Sequence, residues 1–349
     1  MSSPSTERSR WLFSRELDLA AFGGSALLAL ALCGAAAILG TLHRGTPEWA
    51  WIGAVLLVDV AHVYATGFRV YFDRAELHRR PWLYGLVPAL SYAAAVGLYA
   101  CGELTFWRVL AYLAVFHFVR QQAGWVALYR SRLGERDLAT RAIDSAAVYA
   151  ATLYPLLYWH VHLPRAFWWF LRGDFVRLPN VLTSIGRPIW ISALALYGAS
   201  MLLRARRGRS NPGKDLVVLS TAACWYVGIV ALDSDFAFTV TNVLTHGLPY
   251  LALIYWYGRA RVARGGAFSL FARGPWAFLG LLWFLAYFEE LFWDRGVWHE
   301  RAWLFGESWD LGNVRLFVVP LLALPQIVHY VLDGFVWRSR GNPDLRLSA

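Results

Sequence analysis

The sequence predicts an all-α fold, a polytopic transmembrane bundle of about ten helices with both termini cytoplasmic. Three observations predict it. Of 349 residues, 58% are hydrophobic and only 16% are charged, whereas a soluble globular domain is about a quarter charged. The apolar residues come in runs of about 20, the length a helix needs to cross a hydrocarbon core of roughly 30 Å. Basic residues gather in alternate loops, as cytoplasmic loops do. The composition excludes a disordered chain, a disulfide scaffold and an ordinary cytosolic enzyme. Cys33, Cys101 and Cys224 are scattered with no CxxC pair, which argues against a zinc ribbon or a redox pair.

The apolar segments lie near 17–40, 49–73, 82–101, 105–129, 142–160, 186–204, 214–232, 236–257, 275–295 and 313–337. The first follows Arg8, Arg10 and Arg15. It is longer than the core of a signal peptide, and no clear cleavage site follows, so it reads as a first transmembrane helix. The organisation expected is a cytoplasmic segment 1–16, one transmembrane domain 17–337 and a cytoplasmic tail 338–349. Phe167, Trp168, Trp169 and Phe170, between the fifth and sixth segments, suit an interfacial helix in the headgroup zone. The Arg204–Lys214 loop, with Asn211, Pro212 and Gly213, is the point most suited to dividing two halves.

Charge sets the orientation. With both termini inside, 22 basic residues fall in inner segments and nine in outer ones. The formal charge of +10 is then largely topology. A nucleic-acid partner is not needed to explain it. The expected surroundings are a lipid bilayer, namely the cytoplasmic (inner) membrane.

Four of the nine histidines, His62, His117, His246 and His329, lie within apolar segments. An ionisable side chain there is costly and marks a functional site by default. They sit on the second, fourth, eighth and tenth helices, all running from outside to inside. Counting to the first following arginine outside the spans gives 12, 13, 13 and 9 residues. At 1.5 Å per residue these depths agree to about 6 Å. Four imidazoles in one layer are the predicted metal ligands.

Each histidine has polar neighbours at helical spacing. The second helix carries Asp59, His62, Thr66, Arg69 and Asp73, one continuous polar stripe. The fourth carries His117, Arg120 and Gln121, the eighth Asn242, His246 and Tyr250, the tenth Gln326, His329 and Asp333. A metal-bound histidine passes its other ring N–H to a carboxylate, amide or carbonyl. Asp59, Gln121, Asn242 and Asp333 are spaced for that role. Arg69, Arg120 and Tyr250 are the candidate catalytic residues, the arginines being suited to a carboxylate or lipid phosphate or to snorkelling towards the headgroups. Pro249 and Pro325 lie within a turn of His246 and His329. Glu289 and Glu290 are expected near the outer end of the ninth helix, interfacial and far in depth from the histidines.

Four imidazoles without a thiolate suit iron, copper or zinc. A deep apolar setting suits O₂ and an apolar, lipid-like substrate. The leading expectation is a membrane-embedded non-haem iron oxygenase acting on a lipid or isoprenoid. Phe116–His117–Phe118, Thr245–His246–Gly247 and His329–Tyr330–Val331–Leu332–Asp333 resemble the intramembrane histidine motifs of the Brp/Blh family. These are polytopic carotenoid-cleaving dioxygenases with a four-histidine iron. The resemblance implies an iron site to which His117, His246 and His329 contribute, and a carotenoid-type substrate. Where that family opens with Pro-His-Gly, this chain has Asp59–Val60–Ala61–His62. A proton-coupled transporter using a His/Asp/Arg relay, a b-type haem protein and a purely structural subunit are the alternatives.

Overall fold

Ten long helices follow one another along the chain, and no strand occurs among the described residues, which are 10–337 of this computed structural model. The expected terminal tail 338–349 and the start of the segment 1–16 lie outside them, with the basic residues counted there. The helices are α1 (Arg15–Ile38), α2 (Glu48–Arg69), α3 (Pro81–Ala100), α4 (Glu103–Arg132), α5 (Leu138–Val161), α6 (Val181–Arg206), α7 (Pro212–Ala231), α8 (Asp235–Arg259), α9 (Pro275–Trp298) and α10 (Gly312–Val336). Eight are long and apolar enough to cross a membrane; α4 and α5 are long enough but more polar. The chain is thus a helical membrane protein, with each helix where an apolar segment was expected.

Local chemistry starts and stops these helices. Ser14 accepts from the Leu17 amide at the start of α1, Asp137 from Thr140 at the start of α5, and Asn211 from Lys214 at the start of α7, each satisfying an otherwise orphan donor. Prolines 81, 212 and 275 open α3, α7 and α9, where a missing N–H costs nothing. Two of the histidine-bearing helices depart from regular α geometry. Residues 51–60 of α2 form wider π turns before α geometry resumes at Ala61. Helix α10 is interrupted at Ala323, and Pro325 sits in the first turn of the stretch that carries His329. Asp73, expected inside the second helix, instead lies beyond its end and caps the short helix Arg74–Arg79.

The chain divides into two compact units, and the divisions fall inside α2, α4 and α8 rather than at the Arg204–Lys214 loop. The first runs up to Ala50 and includes Val115–Pro249. Its charged interior is built on Lys214, the chain's single lysine, which is fully buried and reaches Glu135 at 2.6 Å and Asp144 at 2.8 Å. Arg204 joins Asp144 at 3.5 Å and Asp215 at 2.8 Å. Gly213 is needed here, because a Cβ would lie 2.0 Å from the Tyr129 ring, whose hydroxyl donates to Asp18 at 2.6 Å.

The expected interfacial helix over the Phe167–Phe170 cluster does not form. Between α5 and α6 the chain is a folded loop. Asp174, buried, accepts from the Trp169 and Phe170 amides at 2.9 and 2.8 Å. Phe167 is buried and stacks on Phe238 of α8, with ring centroids 4.7 Å apart. A loop that satisfies its own amides through a carboxylate can bury its aromatics without helical hydrogen bonds.

The second unit comprises Trp51–Ala114 and the described chain from Tyr250 onward. Val70, Tyr84, Val328, Leu332 and Val336 form one of its apolar clusters. Arg69, fully buried, is held by Glu76 at 3.2 Å, the Val336 carbonyl at 3.2 Å and the Tyr257 hydroxyl at 3.3 Å. Glu76 also accepts from Tyr84 and pairs with Arg79.

Candidate metal centre

The four intramembrane histidines are all buried: His62 and His329 are each 1% exposed, His117 4% and His246 0%. One ring nitrogen of each lies within 4.8 Å of the others. These are the four histidines whose depths the sequence places in one layer, and they form a group that could hold a metal ion.

His117 and His246 meet edge to face, ring centroids 5.1 Å apart. Phe118, next to His117, lies flat on the His246 imidazole at 3.6 Å with the planes 8° apart. The Trp169 indole meets the other ring of this stack, Phe118, edge-on at 4.9 Å. The loop between α5 and α6 thus backs this pair through Phe118, and Asp174 holds the loop.

His62 and His329 also meet edge to face, at 4.9 Å. Their setting is polar. Asp59 Oδ1 lies 3.6 Å from His62 Nδ1. His329 Nδ1 lies 2.6 Å from the Thr66 hydroxyl, which lies 2.8 Å from the Tyr250 hydroxyl. Tyr250 donates to Asp333 Oδ1 at 2.9 Å, and the Trp337 indole N–H donates to the same oxygen at 3.2 Å. A carboxylate only accepts, so each donor's direction follows: Tyr250 to Asp333, Thr66 to Tyr250, His329 Nδ1–H to Thr66. The chain fixes the His329 tautomer and leaves Nε2 as its lone-pair nitrogen.

The predicted supporting residues divide. Asp59, Tyr250 and Asp333 stand beside the His62/His329 pair. Asp333 reaches His329 mainly through Tyr250 and Thr66, its direct separation from Nδ1 being 3.9 Å. Asn242, buried, donates to its own helix at the Phe238 carbonyl, 2.9 Å. Gln121 is half-buried, and no hydrogen bond ties its amide to another group among the described residues. Arg120 is exposed and donates to Tyr149. Arg69 is committed to Glu76 and the carbonyl of Val336.

Two residues were not singled out from sequence. Thr66 stood in the polar stripe four residues after His62, but its bond to His329 joins two helices and has no sequence signature. Phe118 read as part of a motif, not as a wall. Glu289 is a correction: rather than being remote from the histidines, it interacts with Tyr64, two residues past His62, and lies within electrostatic reach of Asp59. Its depth was judged from the end of α9, whereas α9 continues to Trp298.

The residues fit a metal. Ligand nitrogens about 2.1 Å from one ion lie no more than about 4.2 Å apart, so 4.8 Å requires only a small contraction. The donors are neutral imidazoles, one with an outer partner that sets its tautomer, which suits iron, copper or zinc. Comparison with protein-family models, curated proteins and solved structures gives no match.

Proposed function

We propose that this protein is an integral membrane metalloenzyme of the cytoplasmic membrane, a non-haem iron oxygenase acting on a lipid or isoprenoid. The observation that carries it is the mutual approach of four buried histidine nitrogens within 4.8 Å. Iron bound by imidazoles supplies O₂ binding and activation. The chain's own part is to hold His329 in one tautomer through Thr66, Tyr250 and Asp333, to seat His246 against Phe118, and to surround both with apolar helices that exclude water and admit an apolar chain. The likeness of the His117, His246 and His329 motifs to the Brp/Blh family favours an isoprenoid among such substrates.

A b-type haem fits less well. Two axial histidines bracket a macrocycle, and two further imidazoles within 4.8 Å would occupy the macrocycle's own plane. A proton relay is the second reading, favoured by the Tyr64–Glu289 interaction beside Asp59. Elemental analysis with an optical spectrum of the purified protein separates the three. The proposal expects close to one iron per chain and no Soret band. A Soret band indicates haem. Absence of metal together with substrate-driven proton flux in liposomes indicates transport.

A further inference from the structure

A second feature lies away from the histidines, where α4 joins α5 and α6 joins α7. The two connections, through Gly134 and Gly208 in left-handed conformations, border a cavity of about 760 Å³. Five arginines line it: Arg10, Arg136, Arg204, Arg207 and Arg209. The two carboxylates in its wall are Glu135 and Asp137. Glu135 is committed to Lys214 at 2.6 Å, and Arg204 to Asp215 at 2.8 Å. Asp137 caps α5 through the Thr140 amide at 2.7 Å. That leaves Arg10, Arg136, Arg207 and Arg209 against one carboxylate. Among the described residues no carboxylate pairs with Arg136, Arg207 or Arg209, and all three are exposed.

Like charges gathered at one mouth repel one another and gain from an anion. Guanidinium groups match phosphate oxygens with paired hydrogen bonds. The arginines also stand at the ends of apolar helices on the side that the charge bias makes cytoplasmic, where anionic lipids lie. The buried Lys214–Glu135–Asp144–Arg204 network beneath fixes both loops, so the mouth is held open by the fold rather than formed by the ligand.

We propose that this cavity binds a phosphate group, and that its source is the headgroup of an anionic phospholipid of the cytoplasmic leaflet. The test uses the full-length protein in detergent, titrated with phosphatidylglycerol, phosphatidylcholine or inorganic phosphate and read by native mass spectrometry and thermal shift. Phosphatidylglycerol should be retained at least about tenfold better than phosphatidylcholine, as expected for several arginines near a headgroup. The triple variant Arg136→Gln, Arg207→Gln, Arg209→Gln should lose that preference. Arg74→Gln with Arg273→Gln, exposed arginines elsewhere on the same expected side, should keep it. A stabilising shift with inorganic phosphate, lost in the triple variant, and no lipid preference would keep the phosphate site but overturn the lipid source. Equal retention of both lipids with no phosphate effect overturns the proposal. So does a folded triple variant, judged by an unchanged melting transition without ligand, that still prefers phosphatidylglycerol.

Discussion

The two histidine pairs share a layer but not a setting. His62 and His329 sit among acceptors and hydroxyls: Asp59 at 3.6 Å, and the Thr66–Tyr250–Asp333 chain that begins 2.6 Å from His329. His117 and His246 sit among rings, with Phe118 stacked on His246 at 3.6 Å and Trp169 behind it. One pair carries counter-charge close at hand, which favours a cation in a medium that would otherwise penalise it. The other is positioned by stiff aromatic packing. An imidazole can be aimed either way, by a hydrogen bond at its outer nitrogen or by a surface against its face, but only the first also makes the ring a stronger donor.

The most direct way to break the comparison is to remove a ligand. Replacing His62, His117, His246 or His329 by Ala should each reduce bound metal to a small fraction of one per chain. His43→Ala should not, since His43 lies near the outer loop with its ring on the Asp233 carbonyl. If both members of one pair can be removed with full metal occupancy, that pair is not part of the centre, and the four-ligand reading fails.

The next effect separates the pairs. Thr66→Val, Tyr250→Phe and Asp333→Asn each interrupt the chain behind His329 without touching a ligand. Loss of such an outer partner typically weakens a metal site by about 10–100-fold, and competition with a chelator measures it. The three variants should not be additive, because each breaks the same chain. Additive losses would show three separate roles. Phe118→Leu should cost less, because an aromatic contact contributes about 0.5–1.5 kcal/mol beyond burial, or roughly twofold to twelvefold in affinity. A Phe118→Leu loss as deep as that of Asp333→Asn would remove the distinction between the pairs.

How much of this was legible follows the same division. Helices were legible because apolar length and caps are local: Pro81, Pro212 and Pro275 open helices where the apolar runs begin. The four histidines were legible because burying an imidazole in lipid is rare, and their depths could be counted from arginines. Asp59 and Asp333 followed from spacings of three and four along a helix. Thr66 could not be assigned that way, since it serves a histidine on another helix. Arg69 read as a possible anion receiver because its partner, Glu76, lies beyond a helix end that sequence placed too late. The loop over Phe167–Phe170 was misjudged because aromatic composition describes the headgroup zone and a buried wall equally well. Only Asp174, folding back onto the amides of Trp169 and Phe170, decides between them.

That loop supplies the smallest effect and the finest test. Burial pushes the Asp174 carboxyl above its ordinary value, against four backbone N–H bonds that favour the charged form. Its folded state therefore holds a proton more readily than the unfolded chain. The stability it contributes is complete below the unfolded value of about 4 and declines as pH rises through the raised folded value. Asp174→Asn keeps an acceptor for the amides but has no such titration. The wild-type advantage over Asp174→Asn, followed by thermal unfolding from acidic to neutral pH, should shrink as pH rises. An advantage that grows with pH would mean that the backbone bonds outweigh burial. Because the loop backs the centre at one remove, Trp169 meeting Phe118 and Phe118 meeting His246, Asp174→Asn should change metal affinity by less than about threefold, within the few tenths of a kcal/mol usual for changes away from a site. A larger change would place the loop's hold on His246 on a level with the hydroxyl chain behind His329.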